Sequence, residues 1–285
     1  KDLKTVSIFA CSGHLMPSLE DIDFWWPRGL GDPTLYSLRI ELLNPQGNVA
    51  AEHVQTIGIR TLELVQTEIT TEEEPGEFVF VVNGQKVFIK GTNHVPLDAL
   101  HGRDNRHLDT LLSMTADLNC NMLRIWGGGV YETDTFYDRC DELGIMVWHD
   151  FMFGCALYPQ TEDFLKQARK EAEVVVKRLR HHACMALWSG NNENDVAHDW
   201  FPLHSKLNPN DDRISREILP EVLRRLDPLR SYLPSSPYVS QKVFERGKKT
   251  SEIPEDHLWG PRDDFKGPFY QNSPAHFVSE IGYHG

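Results

Sequence analysis

The sequence predicts two folds in succession. An antiparallel, immunoglobulin-like β-sandwich occupies 1–70, a linker 71–77, and a (β/α)8 TIM barrel 78–285. Three observations carry this. Short β-type runs fill the first part, with no sustained helical period. An acidic stretch ending in Pro-Gly, Thr70-Thr71-Glu72-Glu73-Glu74-Pro75-Gly76, then interrupts the chain. Beyond Gly91, strand-like runs alternate with helical patterns, the order that builds a parallel sheet covered by helices.

The first part offers Thr5–Phe9, Leu35–Leu42 and Ile57–Val65 as strands, with Asn44-Pro45-Gln46-Gly47 as a turn. After the linker, the runs 78–82 and 86–90 flank Asn83-Gly84, a strong hairpin signal. Leu108, Leu111, Leu112 and Leu118 fall at helical spacing within His107–Asn119. Cys120–Trp126 reads as a strand. Thr133–Leu143 reads as a helix that Gly144 ends. Ile145–Trp148 is a strand, and Thr161–Arg180 is a long charged helix with Thr161 at its N-cap. The apolar run Ala183–Trp188 reads as a buried strand. Asp211–Leu226 is helical but crossed by Pro220. Strand signals return at Ser231–Tyr238, His257–Trp259 and His276–Ser279.

Composition narrows the function. A net charge of -13 argues against nucleic acid, whose phosphates need clustered Lys and Arg, and against an anionic membrane surface. No apolar run reaches membrane-span length. The five Cys are scattered and form no C-x-x-C, so they read as reduced thiols, and the expected compartment is cytoplasmic. Seven Trp and eight Tyr supply rings that suit packing and equally suit stacking on sugars.

The chemistry-bearing residues fall just after strands, where a (β/α)8 barrel keeps its active site. A doubly wound sheet would place a site there too, but its nucleotide-binding version needs a glycine fingerprint that is missing. Gly127-Gly128-Gly129 lacks phosphate-loop spacing and reads as a sharp turn. His181-His182 reads as the decoration of a helix end, and His149-Asp150 as lining of a pocket. Neither belongs to a metal motif, and no metal or cofactor is expected. Ser189 has no base nearby in sequence and reads as a small residue at a crowded strand end.

Two carboxylates stand out. Glu193 follows the run 183–188 within Ser189-Gly190-Asn191-Asn192-Glu193-Asn194, where apolar flanks are expected to raise its pKa. Glu280 ends His276-Phe277-Val278-Ser279 and precedes Ile281-Gly282. Either alone reads equally well as a surface Glu. Two in matched contexts, one beside Asn192, favour a working pair. Two carboxylates across a glycosidic bond are the machinery of glycoside hydrolysis. Arg124, at the end of Asn121–Trp126, needs a carboxylate partner, and Glu280 is the candidate. Trp126, Trp148 and Trp259 lie at or near strand ends and are candidate stacking walls for a sugar.

With these residues in place the chain resembles glycoside hydrolase family 2, most closely its β-mannosidase branch. The supporting stretches are Trp25–Gly31, Ile57–Thr61, Ile89–Asn93, Leu123–Gly129, Trp188–Asn194 and Phe277–Glu280, in the family's order. The resemblance implies a retaining exo-β-glycosidase acting on a glycoside or oligosaccharide. Glu193 would be its acid/base and Glu280 its nucleophile. Asn192 would bond the substrate 2-hydroxyl, Arg124 would hold Glu280, and Trp126 would line the subsite of the cleaved sugar. Asp150, His257, Trp148 and Trp259 complete the expected substrate site. His257-Leu258-Trp259 departs from the family, which usually has Tyr at the middle position, near the nucleophile. The resemblance also implies a barrel truncated after about its seventh strand. The rival readings are another family 2 exo-β-glycosidase (a β-galactosidase, β-glucuronidase or exo-β-glucosaminidase) and a carbohydrate-binding or scaffold fragment without turnover.

Overall fold

The computed structural model describes residues 22–200, 206–247, 250–260 and 267–282. The expected strand Thr5–Phe9 and Cys11 lie outside the described residues.

Strands β1 (Tyr36–Leu43) and β2 (Val49–Ile57) form an antiparallel ribbon, with Tyr36 opposite Ile57. Gly47, at φ +82, supplies the left-handed residue of the connecting turn, and Asn44 Oδ1 accepts the N–H groups of Gln46 and Asn48. The sequence reading has no strand at β2. Almost every β2 side chain is exposed, so neither face selects apolar residues and no period-2 pattern is written.

The strand expected over Ile57–Val65 is broken after Ile57 and resumes as β3 (Leu62–Gln66). Docking causes the break. Gly58 lies so close to Ala183 that a Cβ would approach its methyl to 2.6 Å. Trp25 N–H donates to the Ile59 carbonyl at 2.8 Å, and its indole N–H to that of Asp141 at 2.8 Å. Arg60 donates to the carbonyls of Ala183 and Met185 at 3.0 and 2.6 Å.

β3 pairs antiparallel with β4 (Phe78–Val82), which turns through Asn83-Gly84 into β5 (Gln85–Val87). Both turn residues have positive φ, as a two-residue hairpin of this kind requires. Strand pairing thus crosses the stretch 71–77. That stretch is a loop inside one sheet, and β3 belongs with β4 and β5 rather than with the ribbon before it. The inward rings of β4 plug the core: Phe78 stacks on Trp148 with centroids 6.1 Å apart and meets Phe277 at 5.2 Å.

The expected β-then-α alternation comes next. β6 (Gly91–His94), α1 (Leu108–Asp117), β7 (Met122–Ile125), α2 (Asp134–Leu143), β8 (Met146–Asp150), α3 (Glu162–Leu179), β9 (Met185–Ser189), α4 (Asn194–Ala197), α5 (Leu219–Leu226) and β10 (Ser231–Leu233) succeed one another. The strands form one five-stranded parallel sheet, in the order β10-β9-β8-β7-β6. Every residue of β7, β8 and β9 is buried, which is why they read as mostly apolar runs, interrupted only by Arg124 and by polar residues at the ends of β8 and β9. α3 buries Leu165, Ala168, Ala172, Val175, Val176 and Leu179, a three-and-four spacing that makes one face. Gly144 caps α2 at φ +68. Pro220 falls in the first turn of α5, where its missing N–H costs nothing, and a wide π-type turn over Ile214–Ile218 leads in.

Then come α6 (Gln241–Glu245), β11 (Glu255–Leu258), α7 (Pro268–Gln271) and β12 (Phe277–Ile281), with β11 and β12 paired in parallel. Asn93 on β6 donates to the Ser279 carbonyl on β12 at 2.9 Å, bringing that pair beside the first strand of the sheet. No helix among the described residues is long and apolar enough to cross a membrane.

Candidate active site

Arg124, on β7, is the hub. Its guanidinium is 4% exposed and has only donors, so every direction needs an acceptor. Nη2 donates to Asp150 Oδ2 and to Asn192 Oδ1, each at 2.8 Å. Nη1 donates to Glu280 Oε1 at 2.8 Å and Asn93 Oδ1 at 3.2 Å. The expected Arg124–Glu280 pair is present, with Asp150 as a second carboxylate. Burial alone would weaken the Arg124 charge, but Asp150 and Glu280 more than offset it and hold its pKa above the ordinary value. Removing one partner of such a buried pair costs about 3–5 kcal/mol, because a charge is left uncompensated.

Asp150 is fully buried at the end of β8. It also accepts the Trp148 indole N–H at 3.0 Å and the Gly127 amide at 3.1 Å. Burial pushes its pKa up and Arg124 opposes that. It positions Arg124 and does not line a pocket. Trp148 is likewise a core ring, 1% exposed, beneath the guanidinium at 5.5 Å. Arg124 covers Asp150 and one side of Trp148, and the rings of Phe78, Phe80 and Phe277 cover the rest of Trp148.

Glu193 follows β9 at φ +61 and Cys155 follows β8 at φ +54. The other non-glycine residues with positive φ among those described are Asn83 and Asn119, a type that tolerates this region. A Glu or Cys held there costs on the order of 1–3 kcal/mol. The Cys155 N–H donates to the Asn192 carbonyl and that of Glu193 to the Ser236 carbonyl, each at 2.8 Å, and these bonds hold both turns. Cys155 Sγ donates to Glu193 Oε2 at 3.3 Å, and Asn192 Nδ2 donates to the same sulfur at 3.3 Å.

Burial acts to raise the Glu193 pKa, as the apolar flanks predict. The His257 imidazole, with Nδ1 2.8 Å from Oε1, overrides it together with Cys155 and Arg124, and the net shift is downward. The same Nδ1 lies 3.4 Å from Glu280 Oε2. One carboxylate oxygen of Glu193, one of Glu280 and a His257 nitrogen lie within 4.8 Å of one another. These atoms are close enough to hold a cation, but at 2.8 Å the space between nitrogen and carboxylate is filled by a hydrogen bond. Trp259 donates its indole N–H to Glu280 Oε2 at 3.0 Å. Leu258 between them is buried, as strand alternation requires. His257 and Trp259, on either side of Leu258, are the residues that face Glu280.

Glu193, His257, Trp259, Trp200 and Phe269 border an open cleft of about 400 Å³. Trp126 is half-buried, its ring lying over Gly128 so closely that any Cβ there would clash. Sequence reasoning missed Asn93, Cys155, Ser236 and Glu255. Ser236 Oγ donates to Glu255 Oε1 at 2.7 Å, behind His257.

A second cluster lies at the opposite end of β9. His182 is 2% exposed, with Nδ1 2.7 Å from Asp141 Oδ2, while Asp141 Oδ1 accepts the Cys184 amide at 2.7 Å. His182 is thus a core residue and not the decoration of a helix end. His149 is also fully buried, and burial lowers its pKa to about 3. Burial pushes the Cys184 thiol far up, and both Asp141 oxygens are engaged by the Cys184 amide and His182, which ties this cluster into the core.

Known proteins resemble this chain in sequence and in backbone. Residues 5–60 match the model of glycosyl hydrolases family 2. The β-mannosidase of Mus musculus is 39% identical over 280 residues, covering 92% of this chain. β-Mannosidase B of Aspergillus terreus is 37% identical over 271 residues, covering 90%. A solved β-D-mannosidase from Dictyoglomus thermophilum superposes with a TM-score of 0.80 at 40% identity, over 91% of this chain and 31% of its own. The exo-chitosanase CsxA of Amycolatopsis orientalis, at 20% identity and a TM-score of 0.59, shares the fold alone. The chain spans 31% of the length of the two curated relatives. By sequence and by backbone, the chain is similar to a stretch of the β-mannosidases of glycosyl hydrolase family 2.

Proposed function

We propose that this chain carries the reacting pair of a retaining exo-β-glycosidase that removes terminal β-linked mannose. Glu280 is the nucleophile and Glu193 the acid/base. The supporting observation is that both carboxylates face one site, with His257 Nδ1 2.8 Å from Glu193 Oε1 and 3.4 Å from Glu280 Oε2. Retaining enzymes hold the two groups about 5–5.5 Å apart, whereas inverting ones need about 6.5–9.5 Å to admit a water. Glu280 attacks the anomeric carbon while protonated Glu193 gives its proton to the leaving oxygen. Glu193 then takes a proton from the water that releases the sugar. Arg124 keeps Glu280 oriented, and Asn192 meets the substrate 2-hydroxyl. Trp126 and Trp259 offer ring faces to the sugar.

In the same reading β6 to β12 are seven strands of a (β/α)8 barrel, and β1–β2 are part of an immunoglobulin-like sandwich. The division at 71–77 moves back to Gly58–Thr61, because β3 pairs with β4.

The test is a panel of aryl β-glycosides on the full-length protein and its Glu280→Gln variant. The expected result is preference for the β-mannoside, release of β-mannose as the first-formed anomer, and a loss of about 10⁴-fold or more in the variant. A variant as fast as the parent refutes the assignment.

A further inference from the structure

The two oxygens of Glu193 are not equivalent. We propose that His257 is a positioning residue that ties up Glu193 Oε1, so that Oε2 alone gives and takes the proton. The inference rests on the reading of Glu193 as acid/base.

His257 stands on β11 with its side chain 3% exposed. Its Nε2 faces Arg124 Nη1 at 3.3 Å and Ser236 Oγ at 3.1 Å, with Glu255 Oε1 at 3.8 Å. The ring proton is fixed from the other side, where Nδ1 faces two carboxylate oxygens, Glu193 Oε1 at 2.8 Å and Glu280 Oε2 at 3.4 Å, which accept and do not donate. Nδ1 points at Glu193 Oε1, 2.8 Å away. Oε2 has a different partner, the Cys155 thiol at 3.3 Å, on a half-buried side chain. A thiol is a weak donor, and an arriving oxygen displaces it easily. The thiol marks where the glycosidic oxygen, and later the water, sits.

In the first step the proton on Oε2 passes to the glycosidic oxygen. The C–O bond breaks with its electron pair on that oxygen, and Glu280 bonds to the anomeric carbon. In the second step water attacks that carbon and its proton passes to Oε2, while the bonding pair returns to the Glu280 carboxylate. The His257 proton stays on Nδ1 throughout, bonded to Oε1.

An N–H donated to a carboxylate stabilises its charged form. Loss of that donor raises the Glu193 pKa. The other charged groups facing the imidazole are Glu280, Glu255 and Arg124, with Asp256 next in the chain. The carboxylates among them push in the same direction once the ring is gone.

Two amides separate donation from mere filling of space. In His257→Asn the amide nitrogen lies where Nδ1 was. In His257→Gln it reaches the position of Nε2. The measurement is the pH profile of the full-length protein on two aryl β-mannosides. One has a poor leaving group, whose kcat/KM loses its alkaline limb when Glu193 deprotonates. The other has an activated leaving group, whose kcat loses its acidic limb when Glu193 protonates. Both limbs are expected to move up by about one pH unit in His257→Ala and His257→Gln, and to stay near the parent in His257→Asn. Limbs that stay put in His257→Ala, or move alike in both amides, overturn the proposal. Glu193→Ala is run alongside. If azide restores its turnover of the activated substrate, the reading of Glu193 stands whatever His257 does; if azide does not, that reading fails first.

Discussion

Strand β9 has a carboxylate–histidine pair near each end. Asp141–His182 precedes it and Glu193–His257 comes after it, at 2.7 and 2.8 Å, with the whole of β9 between them. The two bonds are nearly the same length, and their surroundings decide what they do. Asp141 spends both oxygens on structure, one on the Cys184 amide and one on His182, inside a closed core. Glu193 keeps an oxygen on a weak thiol donor, opens on a cleft, and shares its histidine with a second carboxylate. A carboxylate–histidine contact identifies neither catalysis nor stability. Access and an uncommitted oxygen do.

Three substitutions break or sharpen that contrast. The largest effect is expected at the open end, from Arg124→Lys. A lysine cannot reproduce the fork that spans Asp150, Asn192 and Glu280. Misplacing Glu280 by an ångström should cost about 10²-fold in kcat/KM, read on an aryl β-mannoside. Asp141→Ala attacks the closed pair and orphans a buried amide and an imidazole. Urea unfolding of the full-length protein should show about 3 kcal/mol lost, with kcat unchanged in the folded fraction. An equal loss of kcat would erase the distinction between the two ends. The smallest effect is expected from Asp256→Asn. Burial pushes the Asp256 carboxyl up from 3.8 to about 6. The folded state therefore holds this proton more tightly than the unfolded one, and that stabilisation is lost as pH rises from 3.8 through about 6. The variant should melt about 3 °C above the parent at pH 7.5 and level with it at pH 4.

The open end was more legible in the sequence than the closed one. Glu193 and Glu280 each terminate an apolar run, and Arg124 is a charge at the end of a strand that otherwise reads as core. Asn93 escapes that rule, because it is the third residue of β6, Gly-Thr-Asn-His, which has no apolar run to mark it. Cys155 escapes it too, because its position depends on a left-handed turn that leaves no periodic trace. The sequence marks Trp148 and Asp150, but their burial comes from Arg124 and from rings on β4 and β12, which no local pattern shows. His182 was misread because its partner lies 41 residues away on α2. In the first part, β2 went unseen for want of alternation, and the break at Gly58 came from contacts more than a hundred residues distant.

Those contacts bear on how such a chain tolerates change. Arg60 and the Trp25 indole grip Ala183, Met185 and Asp141 by backbone carbonyls, which every amino acid presents alike. The front segment therefore recognises the course of the main chain, and of the side chains there only the small Ala183 methyl on which Gly58 packs. Sequence at the foot of β9 can drift under packing constraints alone while the joint persists. A joint of this kind is expected to be kept in relatives whose cores have diverged, and to transfer between them as a unit.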